Sequence, residues 1–371
     1  MVRAVVLPAP GKPLRLTDLE LPAPGPGQVR VRIAATGVCH SDLSLARGTL
    51  RQPTPAVLGH ETAGTVAAVG DGVTSVAIGD PVVLCWAPPD GTCWFCVQGE
   101  PWLCEHASDA AAVPYARADG DDVYPGLSTG GFAEETVVSE RAVLPVPDAV
   151  PLEQAALVGC AVMTGVGAVL KTARVRAGQS VLVVGLGGVG LSVVQGARLA
   201  GAGQVLVTDR DEDKLALALS MGGTDAVEAG DDLPRRVRAL TGGRGADHAF
   251  DCVGLGATIR SSWASTRRGG VTTVVGIGGK QEQVTFNALE LFHFARTLQS
   301  SVYGSTDPRT DIPTVLEHAA AGRLDLGALV GGTVGLDGVE EAFAAMERGA
   351  TARTLVVPQV TGGPVGVRGA A

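Results

Sequence analysis

Along roughly the first 150 residues, apolar and polar positions alternate in short bursts cut by proline and glycine. The bursts are AVVLPAP, LRLTDLELPAPGPG, QVRVRIAATG, GTVAAVG and DPVVLCW. That spacing predicts short strands of an irregular β region. After VPDAVPLEQ the pattern changes. Apolar runs of about five residues (VLVVG, QVLVTD, ADHAFDCVG, VTTVVGIGG) alternate with helical segments such as VGLSVVQGARLAGA and DEDKLALALSMG. Strands apolar on every position and separated by helices predict a parallel sheet covered on both faces, so the fold class is α/β with a separate β-rich part. From PTVLEHAAAGRLDLGALV to TARTLVVP the texture is mixed again, TGGPVGVRGAA reads as a frayed tail, and no internal repeat is present.

Composition narrows the partners. The chain has 371 residues, 46% hydrophobic and 18% charged, which is ample for buried cores and excludes a disordered chain. Its net charge is 29 − 38 = −9 with no basic block, so nucleic acid and anionic membranes are poor partners. The start MVRAVVLPAPGKP has no charged segment leading into a long apolar run, and no 18-residue apolar stretch occurs, so a cytoplasmic protein is expected. The seven cysteines, at 39, 85, 93, 96, 104, 160 and 252, suit metal ligation better than disulfides in a chain of this size.

Three groups of residues carry chemistry. The strand VLVVG runs into Gly185-Leu-Gly187-Gly188-Val189-Gly190 and then into a helix, the context in which glycines admit a pyrophosphate to backbone N–H groups at a helix start. Nineteen residues after Gly190 (209 − 190) stands Asp209, whose carboxylate suits ribose hydroxyls and repels a 2′-phosphate, favouring NAD over NADP; Arg210 beside it could receive that phosphate. Cys39, His60 and Cys160 offer two thiolates and an imidazole, the three protein ligands of a catalytic zinc with one open position; taken singly they read equally well as small buried residues and a turn histidine. Finally, DGTCWFCVQGEPWLC sets Cys93, Cys96 and Cys104 in a small loop, three thiols where a tetrahedral ion wants four donors.

Taken in order, GVCHSD, GHE, GCAVMTGVGAV, VLVVGLGGVG and ARTLVV make the chain resemble the zinc-dependent medium-chain alcohol dehydrogenases, from the first strand to about Pro358. The resemblance implies a GroES-like catalytic domain from residues 1–161 and 305–371, a Rossmann domain at 162–304, and an active site in the cleft between them. It implies that Cys39, His60 and Cys160 hold the catalytic zinc, with Asp42 orienting the histidine and Glu61 behind the metal. By the same resemblance Ser41 receives the substrate proton, Lys214 lies near the adenosine ribose, and Arg353 contacts the coenzyme phosphates. The family's structural zinc loop has four cysteines spaced by two, two and seven residues. Here Asp90 stands first, so either its carboxylate completes a Cys₃Asp site or it only starts a turn, with Cys85 and His106 as rival ligands.

The expected activity is NAD-dependent interconversion of a small-molecule alcohol with its aldehyde or ketone. Trp86 stands where the family forms the pocket wall, which points to a primary alcohol, an aromatic one among the candidates; a core tryptophan is the other reading. Where many members end the proton path on a histidine, this chain has Ser44. A homodimer or homotetramer is implied. A zinc-free quinone or enone reductase and a non-catalytic nucleotide-binding protein are the alternatives.

Overall fold

The computed structural model describes residues 1–349 and 352–359; the expected tail TGGPVGVRGAA lies outside the described residues. The chain divides into two compact units, Met1–Cys160 with Asp307–Ala371, and Ala161–Thr306. Sequence alone put the breaks at 161/162 and 304/305.

The discontinuous unit is built on the strand Gln28–Gly37. Val29, Val31, Ile33 and Ala35 are fully buried while Arg30 and Arg32 face outward, the two-residue alternation of a half-buried strand. Among the described residues this strand belongs to a seven-stranded sheet running Val143–Pro145, Pro81–Leu84, Glu61–Val69, Gln28–Gly37, Arg353–Val356 and Val330–Val334, with Glu135–Ser139 also paired to Gln28–Gly37. A five-stranded sheet includes Arg15–Leu19, Val2–Leu7 and Ala56–Val57. One core joins Val5, Leu7, Leu58 and Phe132 to Phe343 of the helix Val339–Glu347. A second core gathers Val29, Val31, Val66, Leu84 and Val143. The mixed texture near the C-terminal end resolves into two helices, Pro308–Ala320 and Val339–Glu347, and the strand pair Val330–Val334 and Arg353–Val356.

The second unit holds a six-stranded sheet, parallel in every pairing, ordered Asp225–Ala226, Gln204–Thr208, Ser180–Val184, Ala246–Asp251, Thr266–Val274, Thr297–Ser300. Val181, Leu182, Val183 and Val184 are all buried, because helices cover both faces of a parallel sheet. Leu182 packs with Leu206, Val237 and Ala249, so truncating it to alanine should cost about 2–5 kcal/mol. Strand order reverses between Ser180–Val184 and Ala246–Asp251, the switch point at whose C-terminal ends ligands bind in open α/β sheets. No single helix among the described residues is long and apolar enough to cross a membrane.

Candidate active site and metal centres

Three separate local structures bring the Cys39 group together. Cys39 occupies the position before the short helix His40–Ala46, in extended conformation. Asp42, in that helix's first turn, is fully buried. His60 sits where the chain enters the strand Glu61–Val69, and Cys160 follows the helical turn Ala156–Gly159. The residue before His60 must be glycine: Gly59 has φ +90°, and a Cβ there would lie 2.7 Å from a Phe132 ring carbon. Asp42 Oδ1 accepts the Gly59 N–H at 2.8 Å and lies 3.0 Å from His60 Nδ1.

One donor atom from each of Cys39, His60, Glu61 and Cys160 lies within 4.8 Å of the others. His60 Nε2 is buried without a hydrogen-bond partner. A carboxylate on Nδ1 and an orphaned Nε2 facing two thiols is the donor set of a zinc-binding histidine, so these residues fit the ion. These groups shift one another's acidity. The Cys160 hydrogen bond, aided by the charges of Arg353 and His60, holds the Cys39 thiol well below the ordinary cysteine range against the effect of burial. Cys160 is raised by sharing that bond and by burial. Burial works to lower the imidazole of His60, but the charges of Asp42 and Cys39 raise it well above the usual histidine range.

Arg353 has a local partner. Its Nε and Nη2 donate to the two oxygens of Glu61 at 3.0 and 2.7 Å, and Nη2 lies 3.5 Å from Cys39 Sγ. Burial pushes Glu61 up to about 7, and the arginine charge opposes it. The resemblance put Glu61 behind the metal and Arg353 on the coenzyme phosphates; that the two pair, across 292 residues, was not foreseen.

Ser41 is half-buried in the helix that also holds Asp42, and Ser44 lies one turn on. Trp86 is half-buried with its ring edge-on to the His60 imidazole, centroids 6.4 Å apart at 79°. The tryptophan therefore flanks the histidine.

In the cysteine loop, one donor atom from each of Asp90, Cys93, Cys96 and Cys104 lies within 4.8 Å of the others. Cys93 Sγ and Cys104 Sγ are 3.8 Å apart, and a tetrahedron with zinc–sulfur bonds near 2.3 Å has an edge of about 3.8 Å. The loop thus fits a zinc ion. Asp90 starts the turn and also lies within the donor group. Its Oδ1 accepts the N–H groups of Thr92 and Cys93 at 2.8 and 3.0 Å, which shapes the turn and holds the Asp90 carboxyl well below the usual carboxylate range. His106 stays outside the group, 3.8 Å from Asp90 Oδ2 and hydrogen-bonded to Asp109, and Cys85 is not part of it.

In the second unit, Gly185 has φ +87°, and a Cβ on Gly190 would lie 1.9 Å from the Gly185 carbonyl oxygen, so both positions need glycine. Gly187 faces open space at the start of the helix Gly188–Leu199, whose first turn includes Val189, and leaves a cradle for a pyrophosphate at the helix N-terminus. Asp209 directly follows the neighbouring strand Gln204–Thr208. Its Oδ2 accepts the Leu186 N–H at 2.7 Å and its Oδ1 those of Arg210 and Asp211, which ties the glycine loop to the strand end. Lys214 lies in the first turn of the next helix, Glu212–Ser220. The opposite wall was missed in the sequence: a Cβ on Gly185 would meet Val253 at 2.5 Å, so Cys252–Gly254 faces the glycine loop. The signal was DCVG at the end of an apolar run, in the strand across the switch point.

These features define a class: a dinucleotide fold carried in one chain with a β-rich unit that presents Cys–His–Cys donors. Residues 25–148 match the alcohol dehydrogenase GroES-like domain family, and residues 188–321 match the zinc-binding dehydrogenase family. The chain is 37% identical over 365 residues to an S-(hydroxymethyl)glutathione dehydrogenase of Photobacterium damsela subsp. piscicida, covering 95% of this chain and 99% of the relative. Among solved structures, an alcohol dehydrogenase zinc-binding domain protein from Burkholderia ambifaria superposes with a TM-score of 0.91 at 33% identity, over 96% of this chain and 98% of that one. Benzyl alcohol dehydrogenase from Acinetobacter calcoaceticus gives 0.89 at 27%, over 96% and 99%. The chain belongs to the zinc-dependent alcohol dehydrogenase family of medium-chain dehydrogenases and reductases, and it is an oxidoreductase.

Proposed function

We propose that this protein oxidises a primary alcohol to its aldehyde, reversibly, with NAD as hydride acceptor and zinc held by Cys39, His60 and Cys160. The observation that carries the reading is the convergence of those donors on the orphaned Nε2 of His60. Zinc bound there supplies a Lewis acid that lowers the pKa of an alcohol hydroxyl. The chain's own residues do the rest. Asp42 fixes the imidazole so that Nδ1 faces the carboxylate and Nε2 faces the thiols. Glu61 and Arg353 form a buried, doubly hydrogen-bonded pair beside the donors. Ser41 is the hydroxyl that takes up the substrate proton, and the glycine loop with the N-terminus of the helix Gly188–Leu199 receives the coenzyme pyrophosphate.

Asp209 supports NAD over NADP, because a carboxylate at that strand end repels a 2′-phosphate. Trp86 beside His60 supports a primary over a secondary alcohol, since a bulky ring next to the reacting carbon limits branching there. Two of the similar proteins bear the names S-(hydroxymethyl)glutathione dehydrogenase and benzyl alcohol dehydrogenase; both names describe hydroxymethyl compounds, in keeping with a primary carbinol, and the second keeps aromatic alcohols in view. A second, structural zinc in the Asp90 loop, a homodimer or homotetramer, and a cytoplasmic location complete the proposal.

The test is a panel of aliphatic, benzylic and secondary alcohols, each with NAD and with NADP, followed by absorbance at 340 nm. Primary alcohols with NAD should give the highest kcat/KM. Faster turnover of secondary alcohols, or a preference for NADP, would contradict the corresponding part of the reading.

A further inference from the structure

Four threonines, at positions 36, 62, 129 and 136, are fully buried around the turn that carries His60. Thr36 lies in the strand Gln28–Gly37, Thr62 in Glu61–Val69 and Thr136 in Glu135–Ser139, while Thr129 follows the helical turn Gly126–Ser128. The Thr129 hydroxyl lies 2.8 Å from the Gly59 carbonyl oxygen and 3.0 Å from that of Gly126. The Gly131 N–H donates to the same Gly59 carbonyl at 2.8 Å. Thr136 Oγ1 donates to the Thr129 carbonyl at 2.6 Å; Thr36 Oγ1 donates to the Gly131 carbonyl at 2.8 Å and lies 3.1 Å from Thr62 Oγ1.

The links converge on one residue. Gly59 is gripped at its carbonyl by Thr129 and Gly131 and at its N–H by Asp42, and the next residue is His60. The gripping segment is itself strained: Leu127 at φ 46° and Ser128 at φ 62° are left-handed positions that non-glycine residues seldom adopt, and such conformations persist where the surroundings over-determine them for a function. Shape alone does not call for hydroxyls here, since valine nearly matches threonine; those of Thr36, Thr129 and Thr136 are each fixed by the buried carbonyl they donate to. A ligand that must hold its aim to within about 0.5 Å does call for them.

We propose that Thr129 is a positioning residue for the metal centre, aiming His60 Nε2 through the Gly59 carbonyl, and that Thr36, Thr62 and Thr136 hold Thr129 and its loop in place. This rests on the reading of Cys39, His60 and Cys160 as a zinc site. The experiment is zinc release from the full-length loaded protein to a zinc-responsive dye, together with melting temperatures of the zinc-loaded and zinc-stripped forms. His60→Ala identifies the release phase that belongs to this centre. Thr129→Val should weaken zinc retention in that phase by about 10-fold, the lower end for loss of a residue supporting a metal ligand, and leave any second phase unchanged. Thr129→Ser, which restores the hydroxyl, should release zinc like the wild type, and the loaded form of Thr129→Val should lose more melting temperature than the stripped form. Thr136→Val, one link further out, should move the same phase in the same direction by less, and it decides the matter if Thr129→Val does not fold. Unchanged release, or equal losses of melting temperature in both forms, would overturn the positioning role. If His60→Ala removes no phase, the zinc reading itself falls and takes the proposal with it.

Discussion

Arg353 is the perturbation that probes the site's electrostatics most sharply. Its side chain is 8% exposed and that of Glu61 is 0%, and two charge-assisted hydrogen bonds of 3.0 and 2.7 Å join them. Methionine at 353 keeps much of the volume but strands a buried carboxylate. Burial already pushes Glu61 up to about 7 with the guanidinium in place, so without it the group takes a proton rather than stay charged. Breaking one half of a buried ion pair costs about 3–5 kcal/mol, whereas replacing both halves with neutral groups costs much less. Arg353→Met should therefore destabilise the zinc-loaded protein in urea unfolding, by less than that figure of about 3–5 kcal/mol because Glu61 is relieved of its charge by protonation. Glu61→Gln combined with Arg353→Met should be more stable than the sum of the single effects, by about 0.5–3 kcal/mol of coupling. Additive single effects, with Arg353→Met costing under about 1 kcal/mol, would refute the claim that the two groups are coupled as a buried pair.

Four further outcomes follow from named residues. Protein with both metal centres loaded should hold two zinc ions per chain; Asp90→Ala should lose one and Asp90→Cys keep both, and a single zinc in the unmutated protein would exclude the Cys₃Asp site. Asp209→Ser should weaken NAD and relatively favour NADP in initial-rate assays, while an unchanged cofactor ratio would remove the carboxylate from the ribose site. Ser41→Ala should impair turnover severely and Ser44→Ala hardly at all, and Ser44→His should raise alcohol oxidation at mildly acidic to neutral pH where proton release limits the rate; full activity in Ser41→Ala would show that the proton leaves by another path. His248 is buried near Gln179, and burial, reinforced by Arg267 and Arg176 and opposed by Asp247, holds its pKa below the usual value. The unfolded chain takes up that proton at about pH 6.5, so the contribution is whole above this pH and is lost as pH falls through the folded value; melting temperature should decline below about pH 6.5, and His248→Gln should flatten the decline, equal slopes counting against it.

Elements defined by local pattern were legible in the sequence. The alternation in QVRVRIAATG and the apolar VLVVG, QVLVTD and ADHAFDCVG runs became the strands expected, because burial on one face or two leaves a direct imprint on residue type. The late helices Pro308–Ala320 and Val339–Glu347 were hidden, the first by Pro313 inside it and the second by a short apolar stripe. At the site, residue types with unusual chemistry announced themselves: Cys39, His60, Cys160, the glycine loop and Asp209. What stayed out of sight depends on the three-dimensional path alone. Glu61 with Arg353, the threonines around Gly59, and Cys252–Gly254 facing the glycine loop are ordinary residues made functional by distant neighbours.

The central claim is that the Cys39, His60 and Cys160 donors form the zinc centre on which alcohol oxidation depends. The most direct measurement strips the protein of metal, adds zinc stepwise, and follows bound zinc and NADH formation from a primary alcohol together, in the wild type and in His60→Ala. The account predicts that wild-type activity rises with occupancy of one site per chain, and that His60→Ala stays inactive even when the remaining zinc is bound. Full activity in metal-free protein, or in His60→Ala, would contradict it.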